Sequence, residues 1–160
     1  MKRINPMIAL AAVCISLTYC ASPTNPTQAP IEPGQGALSL AIDPNPIVAV
    51  RVSGDTYRFP FDIRISNPGI LPVQIEEVGM EVTALGGLPV HSESMTASEI
   101  EARGYPSRLA AGETLSYHFE PTEEVPDDRI FGGVSAVLTV TGGDSSGKRI
   151  TSSERVSVTR

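Results

Sequence analysis

Residues 57–66 alternate between apolar and polar side chains without a break. A period of two places one set of side chains on a buried sheet face and the other set in water. An Asn-Pro-Gly turn follows at residues 67–69, and a second apolar-rich segment covers residues 70–84. This pair of segments predicts the first strands of an antiparallel β-sandwich. The apolar set of the first segment consists of Tyr57, Phe59, Phe61, Ile63 and Ile65.

The second segment reverses its phase part-way along. Val73 and Ile75 keep the odd phase, whereas the apolar residues from Val78 onward take the even phase. A one-residue slip exchanges the two faces of a strand, so a bulge or a sheet corner must absorb it. The sequence therefore predicts such an irregularity at Glu76 and Glu77.

Further strand patterns occur before and after this pair. Two prolines interrupt the first at residues 43–46, which predicts a strand that changes sheets there. The segment 134–141 is almost continuously apolar, as in a central strand, and the polar middle of the last segment suits a sheet edge. The predicted strands lie at residues 38–42, 47–52, 114–120, 134–141 and 150–158.

Residues 88–106 are the least strand-like part of the chain. Ser98 and Glu101 have the spacing of a helix capping box, which predicts one or two helical turns over residues 99–103. Exposed loops carry recognition more often than strands do, so this segment is the expected recognition surface.

Composition supports an all-β fold with many turns. The chain has 160 residues, with 14 glycines, 14 prolines and no tryptophan. Its net charge of -6 argues against nucleic-acid binding, which needs a basic surface. Both cysteines, Cys14 and Cys20, precede the strand patterns, so the domain has no internal disulfide and no thiolate metal site.

Residues 1–19 have the pattern of a signal peptide. Lys2 and Arg3 precede an apolar run at residues 8–17. A run of about 10 residues is too short to cross a bilayer, which takes roughly 20. We therefore expect an exported protein without a membrane-spanning helix.

Residues 17–20 resemble the lipobox of bacterial lipoprotein precursors. Leu17, Thr18 and Cys20 match that motif, whereas Tyr19 stands where the family has a small residue. The resemblance implies lipid attachment at Cys20, and the lack of an acidic residue just after it implies the outer membrane, with the domain facing the periplasm or the exterior. The alternative is cleavage by ordinary signal peptidase near residues 21–22, which would release a periplasmic or secreted binding or inhibitor module.

Residues 20–36 are predicted to be the lipidated cysteine and a flexible linker. Four prolines lie among small polar residues from Ser22 onward, and such a segment cannot form a core. A spacer of this composition suits a tether between a lipid anchor and a folded domain.

Residues 37–160 are predicted to form one domain of about seven strands. The domain resembles immunoglobulin-like and fibronectin III-like modules of the bacterial envelope, and residues 61–69 and 109–114 carry this resemblance. The resemblance implies a single immunoglobulin-like antiparallel β-sandwich, in a protein that presents a binding or structural domain. It names no activity.

The sequence contains no catalytic motif. The two histidines, His91 and His118, lie far apart in polar or outward positions, without a nucleophile elbow or a phosphate-binding loop. We therefore expect no enzymatic activity, no cofactor, no metal site and no catalytic residue. A protein or glycan partner is expected, through ligand-binding residues that the sequence does not identify.

Two acidic clusters are candidate sites. Glu76, Glu77 and Glu81 lie on one predicted strand, where adjacent residues face opposite sides and do not converge. The second cluster lies in the loop 121–129; it could offer oxygens to calcium but lacks EF-hand spacing, and we expect it to be a solvated loop. Its members are Glu123, Glu124, Asp127 and Asp128.

Overall fold

The computed structural model describes residues 34–160. The predicted signal peptide 1–19, Cys20 and most of the predicted linker lie outside the described residues. Within them the chain forms strands β1 (Ser39–Asp43), β2 (Ile47–Val48), β3 (Val50–Ser53), β4 (Thr56–Arg58), β5 (Phe61–Ser66), β6 (Val73–Thr83) and β7 (Pro89–Thr96), helix α1 (Ala97–Ala102), and strands β8 (Arg108–Leu109), β9 (Thr114–Phe119), β10 (Thr122–Glu124), β11 (Ser135–Asp144) and β12 (Arg149–Thr159). Short 3-10 turns cover Leu85–Gly87 and Asp128–Gly132.

Two packed sheets form the body of the domain. One has the order β1-β5-β9, and the other has the order β2-β12-β11-β6-β7, with β8 also paired to β6. Among the described residues all pairs are antiparallel except β2 with β12. Seven of the described strands have five or more residues; in chain order the first, second and fifth share one sheet and the other four share the second. This is the strand distribution of immunoglobulin domains in which the fourth strand joins the larger sheet. The predicted all-β sandwich is confirmed.

The core lies between the two sheets. In β5 the alternation predicted from the sequence is confirmed, because Phe61, Ile63 and Ile65 are buried and the residues between them are not. From the other sheet Leu138 and Val140 of β11 are also buried. Each such side chain contributes roughly 1.5–3 kcal/mol by its removal from water.

The predicted irregularity in β6 is a bulge at Glu76. Thr141 pairs with Glu77, but the next residue, Gly142, pairs with Ile75, so Glu76 is left over. A Cβ on Gly142 would lie 2.5 Å from the carbonyl oxygen of Gln74, so this position tolerates only glycine. The bulge lets both halves of β6 bury their apolar residues on the same side.

The predicted change of sheet in the first strand is confirmed. β1 pairs with β5 in the three-stranded sheet, whereas β2 pairs with β12 in the larger one. Residues 44–46, which include two prolines, make the crossing. Proline suits this position because it cannot donate to either ladder.

The prediction of one continuous strand over residues 57–66 is wrong. Pro60 divides it into β4 and β5, and Pro121 divides the neighbouring strand into β9 and β10. Beyond the two prolines β4 pairs with β10 and β3 in a separate small sheet. A single backbone bond, from Phe59 N to Pro121 O at 2.9 Å, bridges the break. Proline lacks the donor that would continue a ladder, so both strands break at the same level.

The prediction for residues 88–106 is confirmed in part: the helical turns are present, but a strand stands where a loop was expected. These residues contain the edge strand β7 and helix α1. The capping box lies two residues earlier than predicted: Glu99 Oε2 accepts hydrogen bonds from Thr96 N at 2.7 Å and from Thr96 Oγ1 at 2.8 Å. This register points Ile100 into the core, where it is 1% exposed, and burial decides between two boxes of similar spacing.

Candidate functional site

A cleft opens between the sheets because they differ in width. Five strands lie side by side in the larger sheet and three in the smaller, so β7 extends past its opposite neighbours. Seven of the eight residues of β7 are exposed, and only Met95 is buried. An uncovered strand beside a sandwich core leaves apolar side chains of both sheets accessible.

The cleft has a volume of about 790 Å³, which lies within the range of roughly 300–1,000 Å³ typical of ligand sites. A second cavity of about 430 Å³ adjoins it, and both are lined by Phe61, Met80, Glu93 and Pro121. The apolar lining of the larger cleft comes from both sheets and from the segment after β10, and it includes Ile47, Phe59, Val82, Leu85, Val90, Val125, Ile130, Phe131, Val134, Ala136 and Val158.

The segment 127–133 forms one wall of the cleft. Phe131 meets the ring of Tyr57 edge-on, with centroids 5.1 Å apart, and lies 6.3 Å from Phe59. Asp127 caps the turn by accepting from Arg129 N at 3.1 Å, and its carboxylate also accepts from the Arg129 side chain at 2.8–3.2 Å. The Arg129 guanidinium thereby lowers the pKa of Asp127. This wall is therefore held by its own contacts.

The rim of the cleft is acidic. Its lining holds four carboxylates and one guanidinium, that of Arg129, which is paired with Asp127. Glu93 receives contacts from Arg103 Nη2 at 3.8 Å and His91 Nε2 at 3.9 Å. The four carboxylates belong to Glu93, Glu123, Glu124 and Asp127. An apolar site with a negative rim favours a ligand that is apolar and carries positive charge.

Exposed apolar side chains also lie at the mouth. Val90 is 52% exposed and Leu85 is 78% exposed, and both line the cleft. Leu88, on the hairpin between them, is 66% exposed. Grouped apolar residues of this kind mark interaction sites more often than scattered ones do.

His118 is placed on the surface, as the sequence predicts, and is part of a charged cluster. Its Nδ1 lies 2.7 Å from Asp62 Oδ1, and its Nε2 lies 3.5 Å from Glu120 Oε1. The hydrogen bond that the Asp62 carboxylate accepts from the ring is the main cause of a raised pKa at His118, and Glu120 adds to it. Arg58 contacts Glu120 as well, at 3.5 Å. The cluster therefore favours the imidazolium form.

The structure treats the two predicted acidic clusters differently: three members of the loop cluster lie on the rim of the cleft, whereas the strand cluster does not line it. Glu76 and Glu77 are both exposed, the first at the bulge of β6. In the second cluster Asp127 pairs with Arg129 and Asp128 pairs with Arg160. Among residues 34–160, no group of three or more His, Cys, Asp or Glu side chains is placed to hold a metal ion.

Sequence reasoning missed most of the cleft. The sequence signal for its wall is the pair Ile130-Phe131 directly after an acidic loop, which the strand pattern leaves unassigned. The predicted site residue Cys20 lies outside the described residues. No helix within the described part of the chain is long and apolar enough to cross a membrane.

Comparison with known proteins supports the fold. No protein-family description matches the chain, and no curated protein matches it. A Bordetella pertussis protein named ApaA has a crystal structure similar to this one, with a TM-score of 0.54 and 18% identity over 82% of this chain and 99% of that one. A structural-genomics target named SoR45 gives a TM-score of 0.53 and 12% identity over 80% of this chain and 90% of that one. At these identities the similarities show the fold alone.

Proposed function

We propose that this protein is a non-enzymatic lipoprotein of the bacterial cell envelope. Lipid on Cys20 anchors it to the outer membrane, residues 22–36 space it from the bilayer, and its immunoglobulin-like domain binds a partner. The observation that carries the binding role is the apolar cleft of about 790 Å³ between the sheets. Its mouth is lined by exposed valine and leucine side chains, which a domain with a purely structural role has no reason to retain.

The position of the cleft relative to the tether supports this proposal. Gly36, close to the first described residue, lies beside Val73 at the start of β6. A Cβ on Gly36 would be 2.7 Å from the side chain of Val73. Met80 and Val82, further along β6, line the cleft. At 3.3 Å per residue, the nine steps from Val73 to Val82 cover about 30 Å. The cleft thus lies at a distance from the point where the tether joins the domain, and the tether leaves it accessible.

A second candidate is a freely exported binding or inhibitor module. Tyr19 favours it, because lipoprotein precursors have a small residue directly before the lipidated cysteine. The domain and its cleft are the same in both cases. The two candidates differ in the mature N-terminus and in membrane attachment.

Metabolic labelling with an alkyne fatty acid tests the anchor. We expect label on the wild type and none on Cys20→Ala, with the wild type in the membrane fraction. Cys14→Ala is the matched control, since it changes the other cysteine and keeps Cys20. An unlabelled wild type with a mature N-terminus beyond Cys20 supports the exported module and contradicts the anchor.

Nile red fluorescence tests the cleft on a chain of residues 21–160, which contains the whole described domain. We expect saturable binding that Val82→Trp reduces at least about fivefold, because the larger ring fills the cleft. Val52→Trp is the control, because Val52 is exposed and lies outside the cleft lining. Circular dichroism melting verifies that both variants fold. Equal binding by all three proteins would contradict a binding role for the cleft.

A further inference from the structure

We infer that the edge of β7 and the adjoining cleft together bind an extended peptide segment that is apolar and positively charged, by strand addition. This inference rests on the proposed binding role of the cleft. It goes further in naming the chemistry of the partner and the register in which it pairs.

β7 is a long edge strand with one side unpaired. It pairs with β6 through Pro89–Thr96, and the larger sheet ends with it. An edge strand presents alternate backbone N–H and C=O groups outward, and these can form a ladder with another chain. Every second residue of such an edge directs both its N–H and its C=O outward and can exchange two bonds with an added strand. The regular part of β7 runs from His91 to Thr96, because the pairing with β6 skips Val90. Its six residues present about three such positions, which is enough for about six bonds.

A tyrosine covers the facing edge of the smaller sheet. Tyr105 Oη donates to His118 O and accepts from His118 N, at 2.5 and 3.2 Å. A side chain that occupies the outward groups of β9 prevents a further strand from pairing there. No such cover lies on β7 before Met95 among the described residues. The two edges that flank the cleft therefore differ, and β7 is the one available for pairing.

The side chains of β7 that face the cleft indicate which peptide it accepts. Met80 pairs with Glu93 and Val82 with His91, so these β7 residues share the inner face of the sheet with cleft-lining residues. A charge on the inner face of an edge strand rejects a purely apolar strand, because pairing would bury the carboxylate. Glu93 already contacts Arg103 Nη2 at 3.8 Å, a distance at the outer limit of an ion pair, and its carboxylate is about half exposed. A Lys or Arg of the added strand opposite Glu93 would share this carboxylate with Arg103.

The period of two fixes the other positions of the peptide. Residues two places on either side of the basic residue project on the same face, toward the apolar lining. They would meet the cleft between Val90 and Phe131 on one side and the adjoining cavity near Tyr105 on the other. The partner therefore alternates, with apolar residues flanking a central Lys or Arg. The surplus of carboxylates on the rim of the cleft also favours a positively charged peptide.

Fluorescence anisotropy tests this inference with residues 21–160 and the dye-labelled heptapeptide Thr-Leu-Thr-Lys-Thr-Leu-Thr, blocked at both ends. We expect saturable binding that weakens as salt rises from about 50 to about 500 mM. The same peptide with Glu in place of Lys should bind at least about tenfold more weakly, because it sets like charges opposite each other. Glu93→Gln should weaken binding of the Lys peptide about threefold. Glu81→Gln, an exposed carboxylate on the neighbouring strand outside the cleft lining, should leave it unchanged.

Backbone methylation separates strand addition from simple charge attraction. Alternate N–H groups of a strand point to opposite edges, so methylation of the even-numbered or of the odd-numbered residues removes the donors of one edge only. We expect one methylated peptide to lose binding and the other to retain it. Equal binding by both would overturn strand addition. If Nile red binds but the Lys peptide does not, the inference of strand addition is overturned and the proposed binding role of the cleft stands. If neither binds, both the inference and the binding role are overturned.

Discussion

The side-chain oxygen of Asn67 accepts a hydrogen bond from the backbone N–H of Ala37, at 3.1 Å. The same amide also accepts from Gly69 N at 3.0 Å and donates to Leu71 O at 2.8 Å and Ala110 O at 3.2 Å. Asn67 is 1% exposed, so each of these bonds is shielded from water. One buried side chain thus joins the start of the domain, the β5–β6 turn and the turn between β8 and β9.

Asn67→Ala should lower the free energy of unfolding by about 3 kcal/mol, because it leaves several buried backbone groups without partners. Urea unfolding measures this. Asn45→Ala is the control, since Asn45 is exposed and its one side-chain bond, to Arg155 O, is 3.5 Å long. A loss no larger than that of the control would refute the role of Asn67.

Asp144 should make stability depend on acid pH. Hydrogen bonds from the Ser146 hydroxyl, from Gly36 N and from backbone groups of its own hairpin lower its pKa to about 2. A carboxyl whose pKa is lower in the folded state than the usual 3.8 adds stability that is complete above that value and is lost as pH falls toward 2.

The difference in unfolding free energy between wild type and Asp144→Asn should therefore shrink as pH falls from about 4 to about 2. Asp55→Asn, a change at an exposed aspartate, corrects for the general effect of losing a carboxylate. A difference that is constant across this interval would show that the charge of Asp144 makes no net contribution.

Two buried tyrosines should respond differently to loss of their hydroxyl. Tyr117 Oη donates to Pro106 O at 2.6 Å, and burial raises the pKa of Tyr117 to about 12. Tyr57 is equally buried, but its hydroxyl has no hydrogen-bond partner within the described residues. Tyr117→Phe should cost about 1 kcal/mol, while Tyr57→Phe should be neutral or stabilising. Urea unfolding of the pair decides, and a larger loss for Tyr57→Phe would contradict the prediction.

His118 should titrate above the usual value of 6.5, because Asp62 and Glu120 favour its protonated form. A raised folded-state pKa means that the stabilising contribution is present below pH 6.5 and is lost as pH rises through the higher value. NMR titration of the imidazole in Asp62→Asn should show a lower pKa than in the wild type. Asp55→Asn is the control and should leave the pKa of His118 unchanged. If Asp62→Asn also leaves the pKa of His118 unchanged, the contact with Asp62 is not the cause of the shift.

The tether end of the domain shows where local pattern stops being informative. Residues 35 and 36 read as part of a polar linker, yet Gly36 is buried, its N–H bonds to Asp144, and Ile70 N donates to Gln35 O at 3.0 Å. A Cβ on Gly69 would lie 2.4 Å from that same oxygen. Composition cannot report such contacts, because they join residues far apart in the chain.

The sequence by itself determined the sandwich, the bulge and the change of sheet in the first strand. These follow from periodicity and from proline, which act through a residue's own backbone and its immediate neighbours. Phe61, Ile63 and Ile65 are buried as their spacing requires.

Only the tertiary structure decided the cleft. Pro60 and Pro121 are separated by sixty residues in the chain, and only strand pairing shows that they interrupt neighbouring strands at one level. β7 is an uncovered edge only because the opposite sheet stops at three strands. The side chains that line the cleft come from both sheets and from a loop, and their proximity is a property of packing that no local pattern encodes.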